Sequence, residues 1–352
     1  MKVVDNKKKD KSLLKKIFIK LCRKIGYEII DQNNLFIPTL EKYSNENLSK
    51  PGSSSINVPL GKTNISRKVE DLTIFIRSYT SLEVDKSKIM LDQNKSRIFD
   101  LPKIEYTLRT INSIIISCNQ ALKLFKNLKI NLVITDDNSK ENNLERIKNL
   151  LKKANFNTKI INLGKDEYIN QINKKDENGK EISEGMISNM RNIYKSVELT
   201  KTMANDLVYF VEDDYVHQKE ALIEMILTYE KIASQVGREI FLCPADYPYL
   251  YHKTEDTKIF IGNQRHWRTI QESLITFLTS KKMILNYIDN FILMSTIRHH
   301  PMEKKLHEIY EKEYCLSPIP SLAMHSTNIN SAYGVPPNVD LIKLWDENKI
   351  EI

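Results

Sequence analysis

The sequence predicts an α/β protein with a mostly parallel central sheet flanked by helices, preceded by a basic helical extension. Three observations carry this. From Leu72 onward, short apolar runs alternate with longer segments of helical periodicity, the pattern of strand–helix–strand units with right-handed crossovers. The stretch 207–211, Leu-Val-Tyr-Phe-Val, is largely apolar throughout and reads as a strand covered on both faces. Several of these strands end in acidic or polar residues, at the edge where an open sheet of this kind binds ligands.

The first 70 residues differ from the rest. Leu14, Ile17, Phe18, Leu21 and Ile25 recur at helical spacing, with Lys15, Lys16, Lys20, Arg23 and Lys24 between them. Ser12 is the expected cap of this helix and Gly26 its stop. A basic amphipathic segment of this kind, residues 12–25, either lies on an anionic membrane surface or docks its apolar face on the protein's own body. Residues 50–64 read as a linker or irregular surface loop. Strands are then expected at 72–80, 130–139, 158–164, 207–211 and 239–246. Helices are expected at 104–125, after 139 to about Ala154, at 188–204 and at 219–235. The expected organisation is an extension over 1–70, a main domain over 71–346 with halves 71–215 and 216–346, and a tail over 347–352.

Composition narrows the function classes. Hydrophobic residues make up 41% and charged residues 28% of 352, as in ordinary soluble domains. The net charge is +8, but much of the excess lies in residues 7–24, which argues for no nucleic-acid partner. The four cysteines are far apart and form no CxxC pair, so they read as free thiols in a reducing compartment. Without a secretory signal or a run of about 18 apolar residues, the expected location is cytoplasmic, with the inner face of the membrane as a peripheral site. There is no GxGxxG and no GxxxxGK[ST], which excludes a dinucleotide fold and a P-loop.

Chemistry is expected at the strand ends. Arg77 and Ser78 follow the first strand, Asp136 and Asp137 the second, Glu212, Asp213 and Asp214 the fourth, and Asp246 the fifth. A single Asp there commonly caps the next helix, which suits Asp136 and Asp137. No cap needs three adjacent carboxylates beside a buried strand. A divalent cation, Mn2+ or Mg2+, would offset their repulsion and carry a diphosphate on its other side. Arg77 and Arg191 can compensate diphosphate charge through their planar forks. His266, Trp267 and Arg268 offer an aromatic face with flanking donors, suited to a sugar.

Acids at the end of "ITDDNS" and the run "SNMRNIYKSVELTKTMANDLVYFVEDD" resemble the GT-A-fold glycosyltransferases, family 2-like and of DXD type, which use nucleotide-sugar donors. The stretches "ADYPYLY", "RHWRTIQESLITF" and "SPIPSLAMHST" extend the likeness over roughly 72–346. The resemblance implies a Rossmann-like GT-A fold. In it, Arg77, Ser78, Asp136, Asp137, Asn189, Arg191, Glu212 and Asp213 meet a nucleoside-diphosphate sugar. Asp214, Glu212 and His325 hold the metal, Asp214 directly. His266, Trp267 and Arg268 meet the acceptor, a glycan or lipid-linked hydroxyl of surface polysaccharide synthesis. For the base of an inverting reaction, Asp246 is the first expectation and Glu272 the second. After "HWR", "TIQES" departs from the run of small hydroxyl residues expected there. Two other readings stand beside this one: an inactive GT-A-like binding module, and a nucleotidyltransferase. The latter begins with a Gly- and Lys/Arg-rich loop, and "RSYTSLEVDKSK" has no glycine.

Overall fold

The structure, a computed structural model, describes residues 13–27, 55–58, 61–81, 97–253, 255–326 and 331–350. It divides into two units, Met1–Ser66 and Arg67–Ile352.

In the first unit, α1 (Leu13–Lys24) forms where the periodicity placed it. Gly26 stops it in the left-handed region at φ 87°, and the Tyr27 N–H reaches back to the Cys22 carbonyl at 2.9 Å. Ser12, the expected cap, lies outside the described residues. Part of the expected linker is a strand pair instead, β1 (Ser55–Val58) and β2 (Gly61–Asn64), antiparallel with Ser55 opposite Asn64. The β-branched Ile56, Val58 and Thr63 favour extended backbone there.

The second unit is built on a nine-stranded sheet. Its first half is parallel: β3 (Asp71–Ser78), β4 (Lys129–Asp136), β5 (Asn157–Asn162) and β6 (Leu207–Val211), in the spatial order β5-β4-β3-β6. Every residue of β3 and β6 is buried, as both-face coverage requires. The crossover helices are α2 (Lys103–Leu124), α3 (Glu141–Leu151) and α4 (Glu184–Met203). Helix α4 starts four residues before the expected Ser188, because the Ser183 hydroxyl caps it by accepting from the Met186 N–H.

Strand β7 (Tyr215–His217) leads into α5 (Ala221–Val236), which packs against α2, and α3 also packs against α2. The expected strand at 239–246 shrinks to β8 (Phe241–Leu242). Then come β9 (Ile259–Ile261), β10 (His266–Ile270) and β11 (Phe277–Ser280). Helices α6 (Lys281–Asn286), α7 (Ile288–Thr296) and α8 (Lys304–Tyr310) follow. Of these, α6 and α7 pack against α4, and α8 against α7. Strands β12 (Cys315–Ile319) and β13 (Ala323–His325) and helix α9 (Leu341–Glu347) complete the chain. Beyond β6 the sheet is mixed: β11 runs antiparallel to β6 and β8, β12 parallel to β8, and β10 antiparallel to β12 and β9. All four cysteines are free thiols, three of them buried. No described helix is long and apolar enough to cross a membrane.

One carboxylate organises the β9–β10 turn. Glu224 of α5 is buried and accepts from the backbone N–H groups of Asn263 at 3.1 Å, Gln264 at 2.9 Å and Arg265 at 3.3 Å. The indole N–H of Trp267 joins them at 3.3 Å. Gly262 is required beside this nest, since a Cβ there would lie 2.4 Å from the Trp267 ring. Glu224→Ala strands these donors out of water, so urea unfolding should show a loss of about 3 kcal/mol or more. A loss under about 1 kcal/mol would mean that the turn holds without its carboxylate.

Candidate active site

Strand order places the site. The first strand of the parallel half, β3, lies between the second, β4, and the fourth, β6, so the chain reverses its direction of travel between β3 and β6. Crossover loops part at such a point and leave a crevice at the carboxyl ends of the two strands. Ile76 pairs with Val211 across β3 and β6, so Arg77 and Glu212 emerge side by side. Their side chains form an ion pair at 3.0 Å, with both largely buried.

The three adjacent acids therefore do not face one another. Glu212 turns to Arg77 and to the Thr276 hydroxyl, 3.2 Å away. Burial still raises its carboxyl above the ordinary range, against the pull of Arg77. Asp213 turns the opposite way, onto α2, where Lys103 lies at 3.1 Å and the Thr107 hydroxyl at 3.1 Å. The expectation that Asp213 meets the donor is corrected: its carboxylate anchors the turn to α2. Asp214 alone points to the far wall, with His325 Nε2 at 3.3 Å and Arg97 at 3.9 Å. Repulsion is relieved by divergence and by basic side chains from three elements.

His325 comes from more than a hundred residues downstream because β13 pairs antiparallel with β7, setting His325 opposite Tyr215. The Ser326 N–H and hydroxyl both bond the Asp214 carbonyl, at 2.8 and 2.7 Å, and lock this register. The imidazole stacks on the Tyr215 ring at 4.9 Å. Burial opposes a charge on His325, but the Asp214 carboxylate outweighs it and the imidazole is raised above its ordinary value.

This pair fits a divalent ion. Two neighbouring ligands of an octahedral ion lie about 3 Å apart when each is about 2.1 Å from it, close to the 3.3 Å between Asp214 Oδ2 and His325 Nε2. The other imidazole nitrogen, Nδ1, lies 3.2 Å from the Tyr333 carbonyl, which directs Nε2 toward Asp214. No three such ligands converge among the described residues. An ion here would thus complete its shell with phosphate oxygens and water, as Mg2+ usually does.

Beside the crevice, beyond the ends of β3 and β4, is a cavity of about 520 Å3 lined by Tyr79, Ser81, Asp137, Asn138, Ser188 and Arg191, among others. It falls within the usual range for small-molecule sites. Asp136 does not face it. That carboxylate caps the turn by accepting from the Ser139 N–H at 2.9 Å, and burial raises it. Asp137 does line the cavity, paired with Arg191 at 3.4 Å. Ser78 is buried, with its hydroxyl close to the Asp136 carboxylate. Arg191 has another task than the expected one: its guanidinium donates to the carbonyls of Glu167, Gly164 and Lys165 at 2.7, 2.6 and 3.1 Å. With these and Asp137 its donors are occupied, so it pins the 164–167 loop rather than a diphosphate. Asn189 is half-buried on α4, 3.5 Å from the Met302 sulfur.

On the downstream side, Trp267 is fully buried against Glu224 and presents no face to a sugar, which corrects that expectation. His266 is exposed on β10. Arg268 is ion-paired to Asp246, whose other oxygen takes the Tyr251 hydroxyl at 2.5 Å. This Asp is held by a guanidinium and a phenol, yet burial raises its carboxyl above the ordinary range. Glu272 is bound by Lys253 and by the Tyr333 hydroxyl, and these partners hold its carboxyl below the ordinary range in spite of partial burial.

A further buried carboxylate is strongly perturbed. Glu303, at the start of α8, is buried, and burial together with the Glu212 charge pushes it up to about 7. The Glu212 charge raises it further while Arg298 and Arg77 pull it down, so it shares the electrostatic surroundings of the Arg77–Glu212 pair. The sequence reading missed it because "PMEKKLHEIY" looks like the charged start of a surface helix. The alternation of Met302, Leu306 and Ile309 as its buried face was the available signal.

No known protein family matches the sequence, and no curated protein does. Solved structures are similar in architecture. S. aureus TarS 1-349 in complex with UDP-GlcNAc matches over 64% of this chain and 53% of that one, at 11% identity and TM-score 0.35. UDP-glucose pyrophosphorylase complexed with UDP-glucose matches over 80% and 97%, at 10% identity and TM-score 0.38. An active-site mutant of LgtC matches over 64% of each chain, at 10% identity and TM-score 0.30. The chain thus spans about half the length of the TarS structure.

Proposed function

We propose that this chain is a glycosyltransferase that moves a sugar from a nucleoside diphosphate to a hydroxyl of a glycan or lipid-linked glycan in surface polysaccharide synthesis, at the inner face of the cytoplasmic membrane. One observation carries the reading: Asp214 and His325 converge at the crevice between β3 and β6, with a nucleoside-sized cavity on one side and Glu303 on the other. The order along the crevice is nucleoside, diphosphate, sugar, acceptor. The UDP-GlcNAc and UDP-glucose in the similar structures suit a nucleotide-sugar donor.

Asp137, Ser81 and Ser188 line the nucleoside cavity and supply its polar contacts. Asp214 and His325 would hold Mn2+ or Mg2+, which when bound neutralises charge on the leaving diphosphate. Arg77 stands at the same place and shares its fork between Glu212 and a phosphate oxygen. Glu303 takes the acceptor hydroxyl proton as that oxygen bonds to the anomeric carbon. The bond to the diphosphate breaks with its electron pair, and the configuration inverts.

The test is a thermal-shift screen of UDP, GDP, CMP and dTDP, each with Mn2+, Mg2+ or chelator. A nucleotide at about 100 times its Kd stabilises the fold by about 2.7 kcal/mol, a readable shift. The expected result is one nucleotide that stabilises strongly with metal and weakly with chelator. A shift only with a nucleoside triphosphate, with pyrophosphate released from a sugar phosphate, would favour a nucleotidyltransferase instead. No shift with any nucleotide would sink the donor site.

A further inference from the structure

Helix α1 carries a row of exposed apolar side chains. Leu14, Ile17, Phe18 and Leu21 of this helix are 79, 56, 57 and 58% exposed, and Ile25 and Tyr27 just beyond it are 65 and 68% exposed. At 100° per residue, Leu14, Ile17, Phe18, Leu21 and Ile25 fall on one continuous face. Lys20 and Lys24 are exposed too, and they fall at the edge of that face. Across the whole of Leu13–Lys24 there is no acidic residue, while Arg23 and Lys24 occupy its last turn.

A protein partner recognising this face would need apolar surface ringed by carboxylates. A second copy of α1 would bring lysines against lysines, which the uniform sign of the helix disfavours. An anionic bilayer supplies both halves at once, acyl chains below and phosphate above, with lysine stems snorkelling between. At about 18 Å, twelve residues are too short to span the hydrocarbon core and suit a helix lying in the interface. We infer that α1 is an in-plane anchor that docks the protein on an anionic lipid surface. It deepens the glycosyltransferase reading by bringing the crevice to membrane-bound acceptors, yet the docking itself needs no nucleotide.

Flotation of the full chain with vesicles of phosphatidylcholine alone, or with 30% phosphatidylglycerol, tests this directly. Binding to the anionic vesicles is expected to be at least about tenfold stronger, and to weaken as salt rises. Phe18→Glu with Leu21→Glu should remove it at least tenfold, and Lys20→Glu with Lys24→Glu should remove the preference for anionic lipid. Thermal unfolding of the main unit should be unchanged in both variants, which keeps loss of docking apart from loss of fold. Equal binding to neutral vesicles, no binding at all, or a concentration-dependent dimer abolished by the same substitutions would each overturn the proposal. Failure here with a normal nucleotide shift leaves the transferase reading intact, and the reverse pattern refutes only the donor site.

Discussion

Glu303→Gln should nearly abolish transfer while making the protein more stable at alkaline pH. The carboxyl is raised from 4.5 to about 7 by burial and by Glu212. A raised acid holds its proton better in the folded state, so its stabilising contribution is present at low pH and is lost as pH climbs through about 7. At pH 8 the folded protein carries a buried ionised carboxylate at a cost of about 3 kcal/mol, given about 1.4 kcal/mol per pKa unit. Glutamine avoids that cost, so the variant should gain up to about 3 kcal/mol at pH 8 and show little difference near pH 5. As a base the side chain works only when ionised. Transfer by the parent protein should therefore rise with pH through about 7 and then level off. The variant should lose roughly 10²–10⁴-fold and lose that rise with pH. Urea melts at two pH values and a pH–rate profile check both halves. A variant that keeps more than about a tenth of the transfer rate would remove Glu303 from the chemistry.

Asp214→Asn should be as damaging to catalysis, through a different quantity. Of the three adjacent acids Asp214 is the one ion-paired to His325, at 3.3 Å, so metal-dependent nucleotide stabilisation should vanish and transfer should fall at least about 10²-fold. His325→Ala should weaken metal binding by about 10- to 100-fold. The backbone carbonyl of Asp214, which receives Ser326, is untouched by these changes. Asp213→Asn is the contrast. Its carboxylate faces Lys103 and Thr107 on α2, so metal dependence should survive while stability falls. Nucleotide thermal shifts with titrated Mn2+ separate the three. If Asp213→Asn abolished the shift and Asp214→Asn spared it, the assignment would be reversed.

The element pattern was legible in the sequence because its causes are local. Apolar runs buried on both faces define β3, β6 and most of β4, and helical spacing defines α1 through α5. An apolar run ending in three acids located the crevice for the same reason: the strand forces its next residues out at the carboxyl edge. Misreadings arose where a residue's neighbour is distant in sequence. Arg191 looked like a phosphate ligand until the 164–167 loop folded over it. Trp267 looked like a sugar platform, yet the Glu224 nest draws its indole inward.

By itself, the sequence determined the strand–helix alternation, the acidic strand end and the basic amphipathic α1, since each follows from periodicity and local charge. Only the tertiary structure shows which way each of the three acids turns, which carboxylates burial raises, and which arginine is already occupied. Those properties depend on partners such as Glu167, 24 residues from Arg191, and Thr107, 106 residues from Asp213, or on burial, and side-chain direction and desolvation exist only once the sheet has closed around them.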